Sequence, residues 1–591
     1  MHQSHPSIDR PQARPSHSAR RPQQRRGLQR GGRVVATCLT AALLLTVGGM
    51  SAPGFAKASA DEAAAAPYAA VMEKAYDPAE PGAAAIVTRG GEVVYRAARG
   101  MADMEHEVAL EPDMIFRLGS ITKQFTGVAI RLLELEGQLS LDDPLTKFLP
   151  DFPQTDEPVT VEQLLAHTSG IKSYTGIPGY MDQEIRRDLT VDELIDVFDD
   201  EPIDFAPGER HLYNNSGYVL LGAIIEKVTG KSYAEFLQER IFTPLGMAHT
   251  HYDDPEQIVD DRVEGYEKEG DEWRNAPFLS MTQPYAAGSL MSSVDDLARW
   301  NRALHGGELM KPEQAKALWT SFTTDDGEEV GYGYGFAIGE LRGREMIQHG
   351  GGIHGFRTYA LYLPQDDVYV AVLANNTDNA KSPSRVAQQL AAIAVGDPFP
   401  ERKAIELPEE TLRRYVGVYR IGEDDTRTVT FADGKLHTQR SGGQRFEILP
   451  ESETRFFYEN TFSYLDFVLG EDGEVSHMLF HPDGAEEAER ADLTDEEVQT
   501  RTKIEISAEQ AAAYAGTYKM QPGFEMTIRV DGNRVFSQLP GQPEVELFAE
   551  ATDAFFLEVV DAQVTFGRED GAVSTVTIHQ GGREMPGEKV E

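Results

Sequence analysis

The sequence predicts an α+β unit followed by two small all-β barrels. In the α+β unit, strands read first and last with helices between them, which fits one antiparallel sheet closed by both ends of the segment, with a helical lobe inserted. The C-terminal third carries an internal repeat rich in short strands and Gly turns, which fits two similar closed barrels. The boundaries read as residues 1–60 for an export signal, 61–397 for the α+β unit, 398–408 for a linker, and 409–498 and 508–591 for the barrels.

The first sixty residues have the pattern of an export signal. Arg20, Arg21, Arg25, Arg26, Arg30 and Arg33 form a basic region. The uncharged run from Val34 to Val47 follows, and Ala58-Ser59-Ala60 fits a cleavage site before Asp61. The run is short for a membrane span. These features predict a periplasmic or extracellular protein with no stable membrane anchor after cleavage. Cys38, the only cysteine, lies at the start of the apolar run, so the mature chain would have no thiol and no disulfide. The 591-residue chain carries a net charge of −42. Cleavage after Ala60 removes nine basic residues and one acid, which takes the net charge to −50. Such a charge argues against nucleic acid as a partner.

Residues 61–77 are Ala-rich and predict a helix. Ala84 to Val87 and Val93 to Tyr95, joined by Gly90-Gly91, predict a hairpin. Helices and loops then run to Gly306, with Pro144, Pro150, Pro153 and Pro158 as breaks. Strands return at 335–338, 346–349, 356–363 and 368–374, and a helix at 385–394 closes the unit. In the repeat, Tyr415-Val416-Gly417-Val418-Tyr419 recurs as Tyr514-Ala515-Gly516-Thr517-Tyr518. Asp433-Gly434 recurs as Asp531-Gly532, Gly443-Gln444 as Gly541-Gln542, and Phe456-Phe457 as Phe555-Phe556, in the same order.

Three stretches carry candidate chemistry. In Gly119-Ser120-Ile121-Thr122-Lys123, a hydroxyl and an amine three residues apart share one helix face. They sit at a helix start, whose free N–H groups favour a developing oxyanion. Ser169-Gly170-Ile171-Lys172 has the same spacing, so context must separate the two. Tyr213-Asn214-Asn215 precedes an apolar helix. A tyrosine beside a lysine can pass protons, and an amide can hold both the lysine and a substrate carbonyl. The same residues also fit a tyrosine packed at a helix entry with Asn215 as N-cap. His349-Gly350-Gly351-Gly352 lies between two strands. Its glycines admit a close backbone approach and its N–H groups suit an oxyanion hole. A Gly-rich bend with an exposed histidine fits equally well. Thr229-Gly230-Lys231-Ser232 lacks the upstream glycine of a phosphate loop. No Gly-x-Ser-x-Gly is present. His249, His251, Asp253 and Asp254 lack a third cluster to complete a metal site.

Taken in order, Ser120/Lys123, Tyr213/Asn215 and His349/Gly351 resemble the penicillin-recognising serine hydrolases, the class C β-lactamase and D-aminopeptidase-like group. The stretches 164–170, 244–247 and 287–290 resemble it too. The resemblance implies a β-lactamase/transpeptidase-like fold with no cofactor and no metal. It also implies roles: Ser120 as nucleophile, Lys123 as base, Tyr213 as proton shuttle, and Asn215, His349 and Gly351 as substrate-binding residues. The backbone N–H groups of Ser120 and Gly352 would form the oxyanion hole. Ser169 would then lie in a structural turn. Histidine at the third motif, in place of a fixed lysine cation, favours D-aminopeptidase or esterase substrates over β-lactams. The D-aminopeptidases share the plan of a catalytic domain followed by two lipocalin-like barrels, and in them a barrel loop reaches the active site. The reading is therefore an exported serine hydrolase of amides or esters, acting on a small-molecule or peptide substrate. A binding protein that has kept the fold but lost turnover is the alternative of another class.

Overall fold

The structure is a computed structural model that describes residues 62–153, 155, 157–422, 425–485, 488–498, 501–521, 524–539 and 544–590. The expected export signal, Cys38 and the Gly541-Gln542 repeat lie outside the described residues.

The chain opens with α1 (Glu62–Ala75), then β1 (Ala83–Arg89) and β2 (Glu92–Arg99). The lobe contains α2 (Thr122–Leu135), α3 (Asn215–Thr229) and the edge strand β3 (Tyr266–Glu269). The chain then returns through β4 (Ala337–Leu341), β5 (Arg344–Ile353), β6 (Phe356–Leu363), β7 (Val368–Ala374) and α4 (Pro383–Ala394). The sheet order is β4-β5-β6-β7-β1-β2. Every neighbour is antiparallel, so the two ends of the unit meet where Ala83 pairs with Ala374. Both faces are covered, which is why Ala83 to Val87 and all of β7 read as unbroken apolar runs.

The pleat sends alternate side chains to two cores. Ile347, Phe356, Ala360 and Tyr362 face the helical lobe, where Phe125 of α2 stacks on Trp300 at 4.1 Å. Met346, Tyr359, Leu361 and Leu363 face α1 and α4.

Two closed eight-stranded barrels follow, from Gly417 to Leu493 and from Gly516 to Lys589. The repeat has a physical reason. Tyr419 donates its hydroxyl to the Tyr415 carbonyl at 2.8 Å, and Tyr518 does the same to Tyr514 at 2.7 Å. In each barrel the first tyrosine of the pair also meets a core phenylalanine edge-on, Phe456 in one and Phe555 in the other. The first barrel contacts the α4 side of the sheet: Phe462 stacks on Phe399 at 3.8 Å, and Arg385 donates to the Asn460 carbonyl.

Candidate active site

Ser120 is fixed from three sides. Phe116 and Arg117 pair with Ser292 and Met291. The Leu118 N–H donates to the Leu290 carbonyl at 2.8 Å, and the Leu118 carbonyl accepts from Thr358 Oγ1 at 2.7 Å. The chain then turns through Gly119 at φ +55°, where an added Cβ would lie 2.9 Å from the Gly352 nitrogen. A glycine is required there on both counts. Residues Gly119–Ile121 form a single 3-10 turn that runs into α2, so Ser120 sits just ahead of the helix.

Lys123, one residue into α2, is fully buried. Its Nζ lies 3.1 Å from Ser120 Oγ, 2.8 Å from Asn215 Oδ1 and 2.9 Å from the Ala287 carbonyl. The rings of Tyr213 and Tyr218 stand 4.8 and 5.4 Å from it. No carboxylate pairs with it among the described residues, and burial holds its pKa well below the usual lysine range. A neutral amine has two N–H groups and one lone pair. The two carbonyl oxygens can only accept, so they take the N–H groups and leave the lone pair for the Ser120 hydroxyl. That geometry suits a nucleophile and its base.

Asn215 reaches Lys123 because its neighbour does the capping. Asn214 Oδ1 accepts from the Gly217 N–H at 2.9 Å, and Asn214 is the N-cap of α3. This corrects the alternative in which Asn215 caps the helix. Asn215 instead donates Nδ2 to Thr175 Oγ1 at 3.0 Å, which leaves its Oδ1 facing the lysine.

Tyr213 leans over the same amine. Burial of its hydroxyl end raises its pKa, although 40% of the residue is exposed, and the Ser120 side chain pulls the value partly back. The phenol therefore keeps its proton. Behind it pack His167 at 4.3 Å, Tyr332 at 6.3 Å and His349 at 6.2 Å.

His349 differs from the sequence expectation. It is 5% exposed, and both ring nitrogens are engaged. Nδ1 lies 2.6 Å from the Gly350 carbonyl and Nε2 2.9 Å from the Tyr332 hydroxyl. The carbonyl can only accept, so Nδ1 carries the proton and Nε2 accepts from Tyr332. Burial lowers its pKa to about 4. The pleat is the reason, because His349 shares the lobe-facing side of β5 with Ile347. It is a neutral core histidine behind Tyr213, neither an exposed bend residue nor a partly charged substrate ligand.

The three glycines form the end of β5 itself rather than a bend between strands. A Cβ on Gly351 would come within 1.9 Å of the Leu118 carbonyl oxygen, so Gly351 serves close packing and does not line the cleft. The two-residue turn closes on the Ile353/Phe356 pair. Alternation then makes Gly352/Arg357 a pair without mutual hydrogen bonds, and turns the Gly352 N–H away from β6. The pairing with β4 ends at Gln348, so that edge is open beside Gly119 and Ser120.

Comparison with known proteins identifies the family. The family model described as Beta-lactamase matches residues 66–395. The chain belongs to the β-lactamase family. A domain of unknown function, DUF3471, matches twice, over 401–496 and 500–589, in register with the two barrels. Among curated relatives, Penicillin-binding protein 4* of Bacillus subtilis is 30% identical over 68% of this chain and 94% of its own. A D-aminopeptidase of Gluconobacter oxydans is 27% identical over 84% of this chain and 93% of its own, a share too large for the catalytic unit alone. The solved penicillin-binding protein homologue from Pyrococcus abyssi is 29% identical, with a TM-score of 0.52, over 72% of this chain and 97% of its own.

As a member of the β-lactamase family, the protein is a serine hydrolase. Ser120 and Asn215 open into a cleft of about 570 Å3. Tyr174, Met181, Ile185, Leu279 and Phe356 give it an apolar wall. Every lining residue lies between Gly119 and Thr377, so among the described residues no barrel side chain lines the cleft. Glu546 pairs with Arg534, and Asp561 accepts from Gly442 between the barrels. The second Ser-x-x-Lys is not assembled: Lys172 pairs with Asp204 at 2.9 Å, and Ser169 Oγ accepts from the Ile171 N–H. Asp253 is engaged by Arg117 and Arg262, and among the described residues no cluster of acids and histidines could hold a metal. Sequence reasoning missed Thr175, Tyr332 and Thr358. Each acts through a partner 40 or more residues away, or, for Tyr332, through a buried strand residue, and none belongs to a motif.

Proposed function

We propose that this protein is an exported amidohydrolase that forms an acyl-enzyme at Ser120 and releases D-amino acid residues from short peptides or amides. One observation carries the catalytic part: a buried amine with no counter-carboxylate among the described residues, whose two N–H groups are taken by carbonyl oxygens and whose lone pair faces Ser120. In acylation, Ser120 Oγ attacks the carbonyl carbon and its proton passes to Lys123 Nζ. The oxyanion forms between the N–H groups of Ser120 and Gly352. When the tetrahedral adduct collapses, the C–N bond breaks and the leaving amine must gain a proton. Tyr213, held protonated, donates its own and takes the one on Lys123. Water then repeats the sequence in reverse on the ester.

The D-amino acid part is supported by the D-aminopeptidase relative, whose likeness extends beyond the catalytic unit. The neutral His349 also supports it, since the third-motif residue itself supplies no cation. Reaction with β-lactams, the second reading, draws on the relative named Penicillin-binding protein 4*. Turnover of D-alanyl p-nitroanilide, its L-isomer, a p-nitrophenyl ester and a chromogenic cephalosporin separates these readings. The D-anilide should exceed the L-isomer in kcat/KM by at least about tenfold, a difference of about 1.4 kcal/mol in transition-state binding. Turnover of the ester or the cephalosporin alone would overturn the D-aminopeptidase reading. Export is tested by N-terminal sequencing of the secreted protein, which should begin at Asp61.

A further inference from the structure

Two charged side chains on the cleft wall are not used by this chemistry. Glu267 of β3 and Arg357 of β6 both line the cleft and are half-buried. Their neighbours on β3 are neutralised, Lys268 by Asp378 at 3.3 Å and Glu269 by Arg274. Among the described residues, neither Glu267 nor Arg357 makes a side-chain hydrogen bond or ion pair, and they do not pair with each other. In so acidic a chain, a guanidinium left without a carboxylate partner stands out.

Both charges are held near the oxyanion site by the backbone. Arg357 is the cross-strand partner of Gly352. The segment leading into β3 packs on the same hairpin, where a Cβ on Gly265 would lie 2.5 Å from the Phe356 ring and 3.0 Å from Gly355. The Tyr266 N–H donates to the Asn375 carbonyl at 3.1 Å, which fixes Glu267 beside Thr377 at the cleft edge. With His349 neutral and out of the cleft, Glu267 and Arg357 are the fixed charges among the described lining residues.

We propose that Glu267 and Arg357 are charge anchors that select short zwitterionic peptides, with the substrate ammonium on Glu267 and its carboxylate on Arg357. This rests on the amidohydrolase reading above. The termini of an extended dipeptide are roughly 7 Å apart, which suits two anchors that do not touch each other. Half-buried charges are less screened than surface ones, so a complementary substrate group gains more there than at an exposed pair.

The test uses the full chain with Glu267→Gln and Arg357→Gln, and four D-alanyl dipeptides: free at both ends, N-acetylated, C-amidated, and blocked at both ends. Glu267→Gln should raise KM roughly 10- to 100-fold more for free-amine substrates than for N-acetylated ones. Arg357→Gln should do the same for free-carboxylate substrates relative to amidated ones. Either variant acting equally on blocked and free substrates, or a wild type that prefers the doubly blocked dipeptide, would overturn the proposal. Labelling of the same proteins by an uncharged fluorophosphonate reports on Ser120 separately. A labelled wild type with no charge discrimination refutes the anchors alone. An unlabelled wild type refutes the nucleophile.

Discussion

Replacing Lys123 with methionine tests the central geometry, because it keeps the length of the side chain and deletes only the amine. The stability change has opposing parts. The Ala287 carbonyl and Asn215 Oδ1 each lose a donor. An unpaired buried acceptor costs about 1–3 kcal/mol. Against this, an apolar thioether in the same space removes the need to desolvate a fully buried amine, a burial term of roughly 1–3 kcal/mol. The two lost donors outweigh that offset, leaving Lys123→Met about 1–3 kcal/mol less stable than wild type by urea denaturation. Acylation has no such compensation. Losing the base should slow fluorophosphonate labelling by about 10^2- to 10^4-fold. Labelling within tenfold of wild type in a folded variant would refute the assignment. So would a loss of stability well beyond that range, because it would mean that Lys123 is a charged structural group.

Three further outcomes follow from the same site. Asn214→Ala should cost about 1–2 kcal/mol of stability through the lost α3 cap with little change in kcat, while Asn215→Ala, which strips one acceptor from the buried Lys123 amine, should cost about 1–3 kcal/mol and also lower kcat; paired melting and kinetic measurements would show this separation. Gly351→Ala should lower stability by about 1–3 kcal/mol or more through overpacking, since its Cβ would sit 1.9 Å from the Leu118 oxygen. For His349, the folded pKa of about 4 lies below the ordinary 6.5, so the unfolded chain binds the proton first. Its contribution is complete above pH 6.5, is lost as pH falls toward 4, and amounts to on the order of 3 kcal/mol. Urea titrations between these pH values should show the decline, and His349→Gln should flatten it.

Much of the architecture was legible because it rests on local pattern. Apolar runs bounded by turns located β1, β6 and β7, and the recurring tyrosine pairs marked two barrels whose hydrogen bonds prove equivalent. Ser120 and Lys123 could be paired because helix geometry alone brings them together. What failed was whatever depends on tertiary enclosure. Whether Asn214 or Asn215 caps α3 is decided by one residue of phase at the helix start. Whether His349 meets solvent or core is decided by the pleat of β5 and by Tyr332, which lies outside any motif. Glu267 and Arg357 gave no signal among so many charges, because what sets them apart is the absence of partners in space among the described residues.

The most direct measurement is the mass spectrum of the protein quenched in acid during turnover of a D-alanyl ester. One added D-alanyl group is expected on the peptide containing Ser120, and none in Ser120→Ala. An adduct on Ser169, or one that persists in Ser120→Ala, would contradict the assignment of Ser120.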